Sequence, residues 1–144
     1  HTNEKENTIS SISNDVLMPT SDVTPNGLAT ASCIKENGVI LGGDVLIIRP
    51  NKNVLDGIYL SYFITKNKER VMMMVTGSTV YHLYGTDMNN FIVEFPKIEE
   101  QTQIANILTD MDIEIKQLEI KIDKAKKVKQ GMMQELLTGK IRLV

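Results

Sequence analysis

Nothing in this chain constrains its fold more than the run from Ile104 to Leu136, where apolar residues recur in alternating steps of four and three. Ile104, Leu108, Met111, Ile115, Leu118, Ile122 and Ala125 form the first part of the series, and Met132 and Leu136 resume it. Lys129 alone interrupts it. A helix needs this seven-residue repeat to hold one seam against a partner helix over many turns, so the spacing predicts a long helix over residues 96–144. Pro96 suits its first turn, and Glu99 and Glu100 place negative charge at the positive end of the helix dipole. Thr138 and Gly139 supply the stop. About forty residues at about 1.5 Å each give a rod of about 60 Å, the dimension of a spacer or a docking strut.

Charge is segregated along this rod. Residues 96–120 carry Lys97 and Lys116 against Glu99, Glu100, Asp110, Asp112, Glu114 and Glu119, a sum of −4. Residues 121–144 carry Lys121, Lys124, Lys126, Lys127, Lys129, Lys140 and Arg142 against Asp123 and Glu135, a sum of +5. A second copy laid antiparallel sets acidic half against basic half, whereas a parallel copy stacks like on like. The pattern therefore predicts antiparallel pairing; ordinary dipole compensation on a solvated face is the other reading of the same charges. Ile113 and Ile120 lie off the seam, and Ile107, Val128, Met133 and Leu137 widen the apolar surface further. Either this extra surface packs on the chain's own domain or a further protein docks on it, with Ile113, Ile120, Met133 and Leu137 as the docking candidates.

The rest of the 144 residues suffices for one small domain. A net charge of −2 argues against a protein that coats nucleic acid unaided, because nonspecific affinity comes from phosphate neutralisation. Any nucleic-acid contact must be local or shared. The single cysteine, Cys33, excludes an internal disulfide and is too few for a zinc site, which suits a reducing cytoplasm. No apolar run is long enough to span a membrane and no signal peptide is present. The first residue, His1, suggests a piece cut from something longer.

Residues 1–14 are polar and without periodic pattern, and are expected to be a loosely ordered leader. Asp15 to Leu28 then reads as a loop, punctuated by Pro19, Pro25 and Asn26-Gly27. Leu28–Ile34, Val39–Leu41 and Val45–Ile48 are short β-prone runs between glycine turns, and Pro50–Asn53 is a turn that exposes Lys52. From Asp56, which can cap a helix, Tyr59, Leu60, Phe63 and Ile64 form one apolar face. A second helical stretch carries Val71, Met72, Met74 and Val75. Gly77 breaks the pattern, Ser78–Leu83 is a polar strand or loop, and Thr86 or Asp87 can cap a short turn. Phe91–Phe95 reads as a strand leading into Pro96. The fold class is α+β: a small mixed domain over residues 15–95 followed by the long helix.

Catalytic chemistry is not encoded in any recognisable pattern. There is no phosphate-binding glycine loop, no paired-cysteine metal pattern and no glycine-flanked nucleophile. His82 lies near Ser78 and Asp87, but nothing orients it or supplies an oxyanion site, so it reads as a structural residue or a surface donor. No metal or cofactor is expected, and an enzyme is not.

One combination of segments resembles a known family. Gly77-Ser78-Thr79-Val80, then Phe91 to Phe95, then Pro96-Lys97-Ile98-Glu99-Glu100-Gln101 with Ile104-Ala105 and Leu108, is similar to the specificity subunits of type I restriction-modification systems. There a target-recognition domain ends in a strand, a proline and a Glu-Gln dipeptide that opens a long helix. The far end agrees: Lys129-Gln130-Gly131-Met132-Met133-Gln134-Glu135-Leu136-Leu137-Thr138-Gly139-Lys140, with Arg142-Leu143, is similar to the family's closing motif. The resemblance covers residues 77–143 well and residues 15–50 more loosely.

The resemblance implies two recognition domains, each reading half of a split DNA site, with two antiparallel helices between them as a ruler. About 60 Å corresponds to roughly seventeen base pairs at about 3.4 Å per step. It further implies double-stranded DNA, methyltransferase subunits and restriction subunits as partners, with adenine methylation and ATP-driven cleavage belonging to those partners. This chain holds one domain and one helix, so it reads as a half-subunit or a C-terminal fragment. A half-subunit must dimerise to rebuild the ruler, and would then read two inverted copies of one half-sequence. Candidate DNA contacts are Lys52, Asn53, Lys66, Lys68, Arg70, Ser78, Thr79, Tyr81 and His82, whose amide, hydroxyl and basic groups suit base edges and phosphates. Residues 1–95, with seven basic against ten acidic groups, do not favour DNA overall. The rival from another class is a coiled-coil protein-interaction module without DNA recognition.

Overall fold

A computed structural model describes residues 9–143; the first eight residues of the expected leader lie outside the described residues. The chain divides into two units, the first ending at Ala105 and the second beginning at Asn106.

The first unit is built on β2 (Val16–Pro19), in which Val16 and Met18 are buried and alternate with half-buried Leu17 and Pro19. That two-residue alternation makes a strand with one core face within the stretch expected to be a loop, Asp15 to Leu28, because the apolar run is short and ends at Pro19. β2 is the centre of a three-stranded antiparallel sheet, flanked by β4 (Ser32–Cys33) and β6 (Val45–Ile48), with Val16 opposite Ile48 and Met18 opposite Leu46. The strand expected over Val45–Ile48 is present with those bounds. The run expected as a strand over Leu28–Ile34 is broken: Leu28 ends the single helical turn α1 (Pro25–Leu28), because Pro25 pre-sets the helical φ, and only Ser32–Cys33 pairs.

Residues 9–14, expected to be loosely ordered, are instead tied into the unit. β1 (Ile9–Ser10) pairs with β5 (Ile40–Leu41), and Ser11 is buried with its hydroxyl donated to the Glu36 carbonyl at 2.8 Å. Polar composition misleads here because the bonds are made by backbone and hydroxyl groups rather than by apolar side chains.

Across the sheet lies α2 (Gly57–Lys66), which packs on β2 and β4 and buries Leu60 and Ile64. Asp56 caps it as the sequence predicts, its Oδ1 accepting from the N–H groups of Ile58 at 2.8 Å and Tyr59 at 3.0 Å. The second helical stretch is one short piece, α3 (Lys68–Met72), burying Val71.

A second three-stranded antiparallel sheet follows, ordered β3 (Ser21–Asp22), β8 (Tyr81–His82), β7 (Thr76–Gly77). Gly77 turns β7 into β8 at φ +117°, and a Cβ there would strike the Val80 carbonyl oxygen, so only glycine makes this turn. Next comes the turn α4 (Gly85–Met88), where Asp87 acts from inside and not as the cap: the Tyr84 N–H donates back to its carboxylate at 3.3 Å. Residues 91–95 form no strand. Their apolar side chains suit one, but the segment has no ladder partner, and its Ile92 carbonyl accepts from Arg70 instead. Val16, Met18, Leu28, Ala29, Leu60, Ile64, Val71 and Leu83 make one core cluster shared by these pieces.

The last helix, α5 (Ile98–Leu137), is 40 residues long. Pro96 lies just before it rather than in its first turn: the Lys97 carbonyl accepts from Glu100 and Gln101, both at 3.0 Å, and so opens the helix. The end is closed by Gly139 at φ +71°, with its N–H on the Leu136 carbonyl at 3.2 Å and the Ile141 N–H on that of Glu135 at 3.1 Å.

Candidate nucleic-acid interface

Eight of the nine expected DNA contacts fall into three places, and Arg70 is the ninth. Lys52 and Asn53 stand exposed on the turn before α2, whose Val54 carbonyl accepts from Gln101. Lys66 and Lys68 are exposed at the junction of α2 and α3, at the far end of a ten-residue helix and so about 15 Å away. Ser78, Thr79, Tyr81 and His82 belong to the β7–β8 hairpin. The structure brings the members of each group together but leaves the first group apart from the second.

Arg70 is occupied within the fold. Its guanidinium lies 4.8 Å from the Phe91 ring centroid, and Nη2 donates to the Ile92 carbonyl at 2.7 Å. It anchors the strandless 91–95 segment onto α3, a cation–π contact plus a charge-assisted hydrogen bond. Glu94 lines the same surface hollow, with Phe63 and Asn67.

On the hairpin, register sorts the side chains by face. Ser21, His82 and Thr76 form one cross-strand row, and Asp22, Tyr81 and Gly77 the next. Tyr81 packs against the core and Leu83 is buried, so the row holding His82 faces outward. The Tyr84 ring stacks on His82 with centroids 6.1 Å apart and planes at 17°, and stays 56% exposed. Ser78, Thr79 and Val80 are exposed at the tip. Tyr81 is thus turned inward. Ser21, Thr76 and Tyr84 join the outward face although the sequence reading passed over them; the alternation of Tyr81 and Leu83 was the available signal. Asp22 is held away from this row, its Oδ1 accepting from the Thr24 N–H at 2.6 Å and hydroxyl at 2.9 Å. Those bonds hold its carboxyl below the usual carboxylate range.

Two buried polar groups fix the frame around these surfaces. Asp15 is 0% exposed and takes a two-pronged contact from Arg49, Nε to Oδ1 and Nη2 to Oδ2, both 2.8 Å. Arg49 lowers the Asp15 pKa from its ordinary 3.8, against the opposing effect of burial and with help from the Ile12 N–H. Gln101 is also fully buried. Its Nε2 donates to the carbonyls of Pro96 at 2.8 Å and Val54 at 3.0 Å, and its Oε1 accepts from the Asp56 N–H at 2.9 Å. The glutamine of the Glu-Gln dipeptide therefore ties the first turn of α5 to the cap of α2.

In the second unit the expected pairing residues are open to solvent. Met111, Ile115, Leu118, Ile122 and Met132 are between 47% and 54% exposed and Ala125 is exposed, while Leu136, like Ile104 and Leu108 nearer the start of the helix, is half-buried. The docking candidates Ile113, Ile120, Met133 and Leu137 are exposed as well. Among the described residues no cluster of His, Cys, Asp or Glu could hold a metal ion, and no helix is long and apolar enough to cross a membrane.

Known proteins are similar to most of this chain. Residues 2–126 match the model of the type I restriction modification DNA specificity domain. The putative type I restriction enzyme MjaX specificity subunit of Methanocaldococcus jannaschii is 31% identical over 107 residues, 72% of this chain and 25% of that protein. The type I restriction enzyme MjaVIII specificity subunit of the same organism is 29% identical over 99 residues, 69% of this chain and 23% of that one. The chain thus spans about a quarter of the length of these curated relatives. Among solved structures, the type I restriction-modification system S subunit from M. genitalium superposes with a TM-score of 0.61 at 16% identity, covering 87% of this chain and 33% of that one. The family model takes in all three sheets, the Gln101 tie and most of the heptad series, and the chain belongs to the type I restriction modification DNA specificity domain family.

Proposed function

We propose that this chain is a sequence-reading part of a type I restriction-modification specificity subunit, a non-catalytic component that directs partner enzymes to DNA. The match over residues 2–126 carries this reading. In it, the domain over residues 15–95, with the ordered residues before it, reads one half-site, and the helix within residues 96–144 sets the spacing to a second. Methyltransferase subunits dock on the apolar groups off the seam, Ile113, Ile120, Met133 and Leu137, and restriction subunits join that complex. The seam from Ile104 to Leu136 pairs with the corresponding helix of a second copy, antiparallel. Its exposed heptad series and its opposite-signed halves support that arrangement. The exposed pair Lys66 and Lys68 contacts phosphate, Lys52 and Asn53 a separate stretch of backbone.

Co-purification with an adenine methyltransferase subunit from the same source tests the proposal. The complex should methylate adenines within one recurring bipartite sequence, and the methyltransferase alone should not. Stable assembly without sequence-restricted methylation would leave a protein-interaction module and remove the DNA-reading role.

A further inference from the structure

We propose that the outward face of the β3–β8–β7 sheet is the part of this chain that reads base edges, and that it does so without a lysine, arginine or carboxylate. The inference rests on the DNA-recognition role proposed above and assigns it to particular side chains. Ser21, His82 and Thr76 stand side by side in one cross-strand row, Tyr84 stacks on His82, and Ser78 and Val80 are exposed at the tip.

Three observations favour duplex DNA as the occupant. The first is chemical: hydroxyls accept and donate, an imidazole reaches purine edges, and an exposed aliphatic group suits a thymine methyl, the set that direct readout uses. The second is electrostatic. In a chain of net charge −2, none of these residues is Lys, Arg, Asp or Glu; in the next row the Asp22 carboxylate is bonded to Thr24, and that of Asp87 accepts from the Tyr84 N–H. An anionic duplex can therefore approach without meeting a carboxylate on that row. The third is position. α3, which begins at exposed Lys68, runs into β7 through residues 73–75, and α1 packs against both α3 and β8. A cationic junction suited to phosphate opens α3, and a face without lysine, arginine or carboxylate, suited to bases, follows its other end, the division of labour expected of specific DNA binding. The φ of +117° at Gly77, with no room for a Cβ, gives the hairpin tip one defined shape.

The test is selection of binding sites by the full chain, in complex with its methyltransferase, from a pool of duplexes with a randomised core. Wild type is compared with Thr76→Val, His82→Ala and the pair Lys66→Ala/Lys68→Ala. Thr76→Val keeps shape and removes only the hydroxyl. We expect Thr76→Val and His82→Ala each to lose about tenfold or more of the discrimination at one or two base positions, with the slope of log affinity against log salt unchanged. The lysine pair should enrich the wild-type sequence with uniformly weaker affinity and a salt slope smaller by about two. If both hairpin variants select the wild-type sequence with wild-type discrimination, the face does not read bases. If the wild-type complex selects no sequence at all, the recognition role itself fails, and this assignment with it.

Discussion

Asp15 and Gln101 show how much of the first unit hangs on single buried polar groups. Asp15 is enclosed, yet its partner Arg49 keeps 46% of its side chain in water, so the pair contributes less than a fully buried one. Arg49→Met should cost about 1–3 kcal/mol, because the buried carboxylate keeps only the Ile12 N–H. The pH dependence follows from the depressed pKa. A carboxyl whose folded pKa lies below 3.8 stabilises the fold above that value, and the contribution is lost as pH falls through the lower folded pKa. The stability gap between wild type and Asp15→Asn should therefore be full at pH 5 and shrink below pH 3.8. All four tyrosines, Tyr59, Tyr62, Tyr81 and Tyr84, lie in the first unit and no tryptophan is present, so tyrosine fluorescence in urea follows this unit alone. For Gln101, Ala leaves one N–H and two carbonyls without their partner, a loss of about 2–4 kcal/mol. Gln101→Glu is the sharper variant. Its carboxylate would face two carbonyl oxygens, which raises the folded pKa, so its stability should be best near pH 5 and fall as pH rises to 7.5. A Gln101→Glu protein as stable as wild type at pH 7.5 would show that the donor contacts contribute little.

At the scale of elements, the parts specified by neighbouring residues were legible and the parts specified by distant ones were not. The Asp56 cap, the Val45–Ile48 strand and the body of α5 follow from local chemistry and periodicity. Phe91–Phe95 has strand composition but no ladder partner, and what it meets instead, Arg70, lies 22 residues earlier. The same divide runs through the candidate site. Serine, threonine and histidine around residue 80 are visible as possible contacts, but which face each occupies depends on pairing with β3, some 60 residues away in sequence. The sequence accordingly offers Tyr81, whose ring packs on the core, and does not single out Tyr84, which stacks on His82. Within α5 the seam itself yields a prediction, because Lys129 is its one polar member and is exposed. Lys129→Leu should tighten self-association about tenfold or more, by adding apolar area at the seam. Sedimentation velocity over a concentration series measures this, and an unchanged dissociation constant would place residue 129 outside the contact.

For the whole molecule, the proposed pairing of two copies turns on the direction in which they meet. The charge of the helix changes sign between Ile120 and Lys121, with −4 before and +5 after, so the most favourable antiparallel register puts the two-fold axis there. In that register Asn106 of one copy lies near Gln134 of the other, and both are exposed. The native thiol does not interfere: burial, aided by the Asp56 charge, pushes Cys33 up to about 11, so it stays protonated at pH 8. Asn106→Cys and Gln134→Cys proteins, mixed and treated with a short cross-linker, should link to each other efficiently and hardly at all when each is alone. Parallel pairing gives the reverse, with each variant linking to itself. Salt supplies an independent reading of the same geometry. Antiparallel copies oppose unlike charges and should dissociate more readily as ionic strength rises, whereas parallel copies oppose like charges and should associate more tightly. Heterotypic linking together with loosening by salt would fix a two-fold arrangement, and such a dimer would present two identical reading faces to inverted copies of one half-sequence.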